Sequence, residues 1–130
     1  MGESNTHVRY SLEELIRFAS QILEQAGLDS EKSLTVAQTL VEADLMGHTT
    51  HGLQLLLSYV NELGSGGMTA SGEPQVVNDA GSAITWDGNY LPGPWLVHRA
   101  IDLALSRISE HPVITVVIKK SHHIACLAAY

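Results

Sequence analysis

At 130 residues and a formal net charge of −7, the chain suffices for one domain or two small ones and can bury a core without disulfide staples. Lys and Arg are few and scattered, which excludes the positive field a polyanion needs, and no apolar run reaches bilayer length, so neither nucleic acid nor membrane is an expected partner. Hydrophobic residues make up 45% and charged ones 16%, a surface sparse enough in charge to suggest cover by a partner chain; the polar lead-in Met1 to His7 and the single cysteine, Cys126, point to a cytoplasmic protein.

Residues 1 to 9 read as a frayed lead-in. Ser11-Leu12-Glu13-Glu14 has the Ser-x-x-Glu form of a capping box, so a first helix starts at Ser11. Leu15, Ile16, Ala19, Ile22, Leu23 and Ala26 form its apolar stripe, and Gly27 stops it. Asp29 or Ser30 caps a second helix that buries Leu34, Ala37, Leu40, Val41 and Leu45 and ends near Gly47. A third is predicted from Thr50 to Leu63, with Leu53, Leu56, Leu57, Val60 and Leu63 inward and Gly64 closing it. That places His51 at a helix N-terminus, where free N–H groups favour an anion and disfavour a protonated imidazole.

The turn formers from Gly64 through Pro74 mark a boundary, giving a helical subdomain over 1–67 and the first part of an α/β cofactor and substrate domain over 68–130. Gln75 to Asn78 and Ala83 to Asp87 read as short strands, and Asp87-Gly88-Asn89 as a turn. A fourth helix, about Pro94 to Glu110, is predicted to bury Leu96, Ala100, Ile101, Ala104, Leu105 and Ile108. Val113 to Ile118, β-branched without alternation, has the look of a strand covered on both faces. Strand, crossover helix and strand suggest an α/β layer, with the adjacency of the two strands left open. Ser121-His122-His123 follows, then Ile124 to Tyr130 as the start of a helix. The fold class is α+β or α/β: a three-helix subdomain followed by short strands and a crossover helix.

Ala43-Asp44, Gly47, Thr50-His51-Gly52-Leu53 and Tyr59-Val60 form one block, and Val116 to His123 a second. Together they resemble the malate/L-lactate dehydrogenase family, nicotinamide-dependent 2-hydroxyacid and 2-ketoacid oxidoreductases without a Rossmann fold. Gly66-Gly67-Met68 and Trp86-Asp87-Gly88-Asn89 fall between the blocks in the family's order. The resemblance implies a homodimer acting on a small 2-hydroxy or 2-keto acid with NAD or NADP near the subunit interface. It further implies a longer chain, of which this sequence looks like the N-terminal part and by itself would lack catalysis. The positions matching family residues make His51 and His122 the candidates for proton transfer, with Thr50 in a relay, and set Ser121, His122 and His123 beside the cofactor. His123 could equally fix its neighbour's tautomer.

Each residue also has a plainer reading. Thr50 alone is most simply a helix cap. Asp44 suits a loop anchor, Cys126 inert packing, and His48 a structural role; His7, His98 and His111 carry no signal. Histidine pairs without Cys or carboxylate at ligand spacing argue against a metal site. Met46, Leu55 and Ser58 stand where many relatives carry arginines that would hold a carboxylate. Pro92-Gly93-Pro94 replaces a Gly-rich turn, and Ile124-Ala125 a Phe-Gly pair. A non-catalytic dimerisation module is therefore the competing reading, and a hydrolase is disfavoured because no nucleophile elbow is present.

Overall fold

A computed structural model describes residues 8–130, so the reading of Met1 to His7, His7 included, lies outside the described residues. Helix α1 spans Leu12–Gln25 and begins where expected, but the Ser11 side chain makes no capping bond; Glu13 and Glu14 in the first turn complement the dipole instead. Its stripe buries Ala19 and Leu23, and Gly27, at φ +100, ends it as only a residue without Cβ does easily. Helix α2, Ser30–Leu45, buries Val36, Ala37, Leu40, Val41 and Ala43. Leu34 and Leu45, expected inside, are 44% and 64% exposed. Leu23, Leu28, Val36, Leu40, Tyr59, Met68 and Ala125 make the main core cluster. Each fully buried aliphatic side chain there contributes about 1.5–3 kcal/mol.

The predicted third helix is broken. The chain makes 3-10 turns at Thr49–His51 and Leu53–Leu55, and helix α3 runs only over Leu56–Ser65. The break is at Gly52, whose backbone (φ −93, ψ −148) is not helical. The Asp44 carboxylate lies against Gly52 where any Cβ would fall, and its Oδ2 accepts the Leu53 N–H at 2.9 Å. A tether from α2 thus outweighs the helical periodicity. Leu57, placed inward by that periodicity, is 68% exposed, and the left-handed Gly66 closes α3 while Gly64 lies within it.

Strands β1 (Gln75–Asp79), β2 (Ala83–Asp87) and β3 (Thr115–Lys119) form a sheet in that order. β1 pairs antiparallel to β2 with a bulge between Val76 and Asn78; β2 pairs parallel to β3, Ala83 opposite Thr115 and Asp87 opposite Lys119. Helix α4, Gly93–Arg107, is the crossover, so the two strands are neighbours. It buries Gly93, Pro94, Trp95 and Leu96, whereas Leu105 and Ile108, expected inside, lie exposed. β3 is not covered on both faces either: its residues alternate, and Val117 is 54% exposed. Beyond it the expected helix reduces to a 3-10 turn, Leu127–Ala129. The N-terminal helices meet the crossover helix where Trp95 donates its indole N–H to Glu31 at 3.2 Å and Lys32, 3.0 Å from Asp29, lies 4.1 Å over the Trp95 ring.

Candidate functional site

His51 does not begin an α-helix, since α3 starts only at Leu56, and the dipole argument does not attach to it. What holds the ring is Thr50, whose Oγ1 lies 3.0 Å from His51 Nδ1. The hydroxyl can donate or accept, so His51 Nε2 is the nitrogen left for other partners. The same bond shows that Thr50 serves the histidine and not a helix cap.

The second half of the site follows β3, at the carboxyl ends of the parallel strands, a usual ligand position in α/β sheets. This loop is braced from β2: Gly88 N–H donates to Lys119 O and Tyr90 N–H to Lys120 O, each at 2.7 Å, and His122 N–H to Leu91 O at 3.2 Å. The neighbouring imidazoles part company. His123 faces His51, ring centres 6.2 Å apart and planes 21° from parallel. His122 instead has Nε2 3.5 Å from Glu62 Oε2, and its Nδ1 is buried without a partner. The Ser121 hydroxyl is spent within the loop, donating to His122 O at 2.8 Å.

His123 is held at both ends. Its Nδ1 accepts the Ala125 N–H at 3.0 Å, which requires a lone pair there and puts the proton of the neutral ring on Nε2. Its carbonyl accepts the Tyr59 hydroxyl at 3.0 Å. Partial burial, then repulsion from His51 and His122, holds the His123 imidazole below the ordinary histidine range. Tyr59 is 1% exposed, and burial pushes its phenol pKa up, so it remains a donor. Ala125 adopts a left-handed conformation, φ +55, in the position where a Phe-Gly pair was expected, a strain of about 1–2 kcal/mol for a residue with a Cβ.

Beside His51 opens a cleft of about 410 Å³ lined by His48, His51 and residues 124–128. A larger groove, about 690 Å³, runs between α1 and α2 and shares no residue with it. Among the described residues no three potential metal ligands converge. Tyr59 and Glu62 were missed as site residues. Their signal was the i, i+3 spacing on the helix after His51, which puts both on one face. Leu55, one of the positions expected to carry arginine in relatives, packs against the core, while Met46 and Ser58 are exposed.

The profile of the family described as malate/L-lactate dehydrogenase matches residues 10–130. Hydroxycarboxylate dehydrogenase B of Escherichia coli is 30% identical over 116 residues, 89% of this chain and 32% of that protein. Malate dehydrogenase of Pyrococcus abyssi is 28% identical over 124 residues, 95% of this chain and 34% of that one. The solved malate dehydrogenase of Pyrococcus horikoshii superposes with a TM-score of 0.88 at 28% identity, covering 96% of this chain and 36% of its own. The chain spans about a third of the length of the curated relatives it matches. With both histidine blocks inside the matched region and the same fold in a solved relative, the chain belongs to the malate/L-lactate dehydrogenase family.

Proposed function

We propose that this chain carries the proton-handling half of an NAD(P)-dependent oxidoreductase that interconverts a small 2-hydroxy acid and its 2-keto acid. The observation that carries the reading is the His51–His123 pair, ring centres 6.2 Å apart with His51 on a cleft, in a chain matched to the family over residues 10–130. In the reducing direction the C2 carbonyl gains hydride at carbon and a proton at oxygen. A bound NADH or NADPH supplies the hydride. The carbonyl π pair becomes an O–H bond to a proton from imidazole, and solvent returns that proton to the ring. His51 has this role, its Nδ1 on Thr50 and its Nε2 left to exchange the proton. His123, neutral and bearing Nε2–H, donates to the developing oxyanion. The family pattern also offers His122 for acid/base work, but the ring facing His51 is that of His123, which supports giving His123 the partner role.

The position of Ser121-His122-His123 after β3 supports that loop as the neighbour of the nicotinamide. These residues fit the carbonyl end of the reaction. They do not fit the dinucleotide phosphates: Lys119 and Lys120, the cations next to the loop, both pair with Asp87. Leu45, Leu57 and Leu105, each more than 60% exposed, support a homodimer that covers them.

The test is fluorescence-quench titration of the full natural chain with NADH and NADPH, followed by turnover of a 2-keto acid panel. His51→Gln is expected to lower kcat about 10²- to 10⁴-fold with nucleotide Kd unchanged. Binding of neither nucleotide, or full activity in His51→Gln, would overturn the reading; the first outcome favours a dimerisation module.

A further inference from the structure

The loop after β3 carries two adjacent imidazoles, and the proposed reduction uses the one that faces His51. What tells them apart lies on α3. Tyr59 and Glu62, three residues apart on one face of that helix, both reach the loop. The Tyr59 ring is edge-on to both imidazoles, 5.9 Å from His122 and 6.3 Å from His123, and does not separate them. Glu62 does, because its Oε2 is 3.5 Å from His122 Nε2. A carboxylate only accepts, so the nitrogen facing it is the one that bears the proton. The Nε2–H of His122 is thereby committed. That of His123, whose Nδ1 takes the Ala125 N–H, is left to the site.

The local chain makes room for this carboxylate. Past the end of α3 the left-handed Gly66 turns the chain back, and Met68, buried in the core, fixes the turn through its N–H on Glu62 O at 3.1 Å. Gly67 then lies against the Glu62 side chain, and a Cβ there would fall on Glu62 Oε2. Of the Gly66-Gly67 pair, the first meets a conformational need and the second leaves the carboxylate its space.

We infer that Glu62 is a positioning residue of the reductase: by holding His122 it decides which of the two imidazoles is presented to His51. The two histidines share a peptide, so a His122 released from Glu62 competes for the place beside His51. The inference rests on the 2-keto acid reductase reading of the same site.

The test measures kcat and KM of the full natural chain, with NADH and NADPH and the 2-keto acid panel, in Glu62→Ala, Glu62→Gln, His122→Gln and the double variant Glu62→Ala/His122→Gln. Glu62 is 42% exposed, so its replacement should leave the fold intact. Glu62→Ala is expected to lower kcat about 10- to 10²-fold with KM little changed, the cost of a displaced group. Glu62→Gln keeps an acceptor at the same reach and should recover most of that loss. His122→Gln should retain measurable turnover, and in that background the alanine change should cost less than about twofold. In histidine-labelled protein the cross-peak between the His51 and His123 rings should weaken in Glu62→Ala and persist in Glu62→Gln. Equal losses in both backgrounds, a Gln variant no better than Ala, an unmoved ring contact, or no turnover in His122→Gln would each overturn the inference and leave the reductase reading standing. A parent that binds neither nucleotide and reduces no 2-keto acid overturns that reading instead, and the ring contact in Glu62→Ala then decides by itself whether Glu62 sets the imidazoles.

Discussion

Gly93→Ala sets two opposed effects against each other at the back of the histidine loop. Gly93 is the first residue of α4 and has no positive φ, so the backbone accepts alanine, which helix propensity favours by up to about 1 kcal/mol. The space does not accept it. A Cβ there would lie 2.5 Å from His122 O and 2.6 Å from Ile124 Cγ2, with His123 O closer still, all roughly 1 Å inside ordinary contact. Two of these atoms are main-chain carbonyls with partners of their own, Ser121 on His122 O and Tyr59 on His123 O. Relief means moving the loop: about 1–3 kcal/mol of overpacking plus about 1 for the Tyr59 bond, less the helix gain, or about 1–3 kcal/mol of net destabilisation. Gly64→Ala is the control, because it lies within α3 with nothing within 4 Å of its Cβ position. It should stabilise by about 0.4–1 kcal/mol. Urea midpoints of the two variants measure both, and His123 ring resonances should move only in Gly93→Ala. A Gly93→Ala protein as stable as its parent, or two variants shifted alike, would refute the reasoning.

Tyr59→Phe keeps the buried ring and deletes the hydroxyl on His123 O; a loss of about 1 kcal/mol is expected by urea denaturation, with the His123 ring signals broadened. Acid should also weaken the fold through His123. Its pKa is lowered on folding, so its contribution is intact above the unfolded histidine value, about 6.5, and is lost as pH falls through the lower folded value. Unfolding free energies at pH 7.5 and 5 should therefore diverge less in His123→Gln than in the parent, and an unchanged difference would count against the assigned environment.

Much of the fold is legible along the chain because local rules act alone there. The stripe and Gly27 delimit α1, and the turn at Asp79–Ser82 sets the β1–β2 hairpin between two short runs. The failures have tertiary causes. Asp44 is legible as a loop anchor, and it does hold the Leu53 N–H, but nothing near Gly52 announces that this tether from another helix would break the third helical run. Leu34, Leu45, Leu57, Leu105 and Ile108 satisfy helical spacing yet face outward, since periodicity identifies a face but not whether anything in this chain covers it. The histidines show the same limit: both halves of the candidate site are visible as motifs. That His123 turns to His51 while its neighbour turns to Glu62 depends on contacts across the fold from Tyr59 and Gly93.

Two of the ties between the N-terminal helices and the rest of the chain, Glu31 to Trp95 of α4 and Tyr59 to His123 of the loop after β3, each join residues 64 apart in sequence. Each closes a long loop, whose entropic cost rises only slowly with length. No local element keeps His51 near His123; their approach lasts only while that seam is shut. A partial opening that left every helix intact would already disperse the pair. Amide hydrogens at Asp29, bonded to Ala70 O, and at Ala125, bonded to the His123 ring, lie on this seam and should exchange with a common rate. The candidate site is in that sense a readout of docking, and its integrity can be followed by exchange without any substrate.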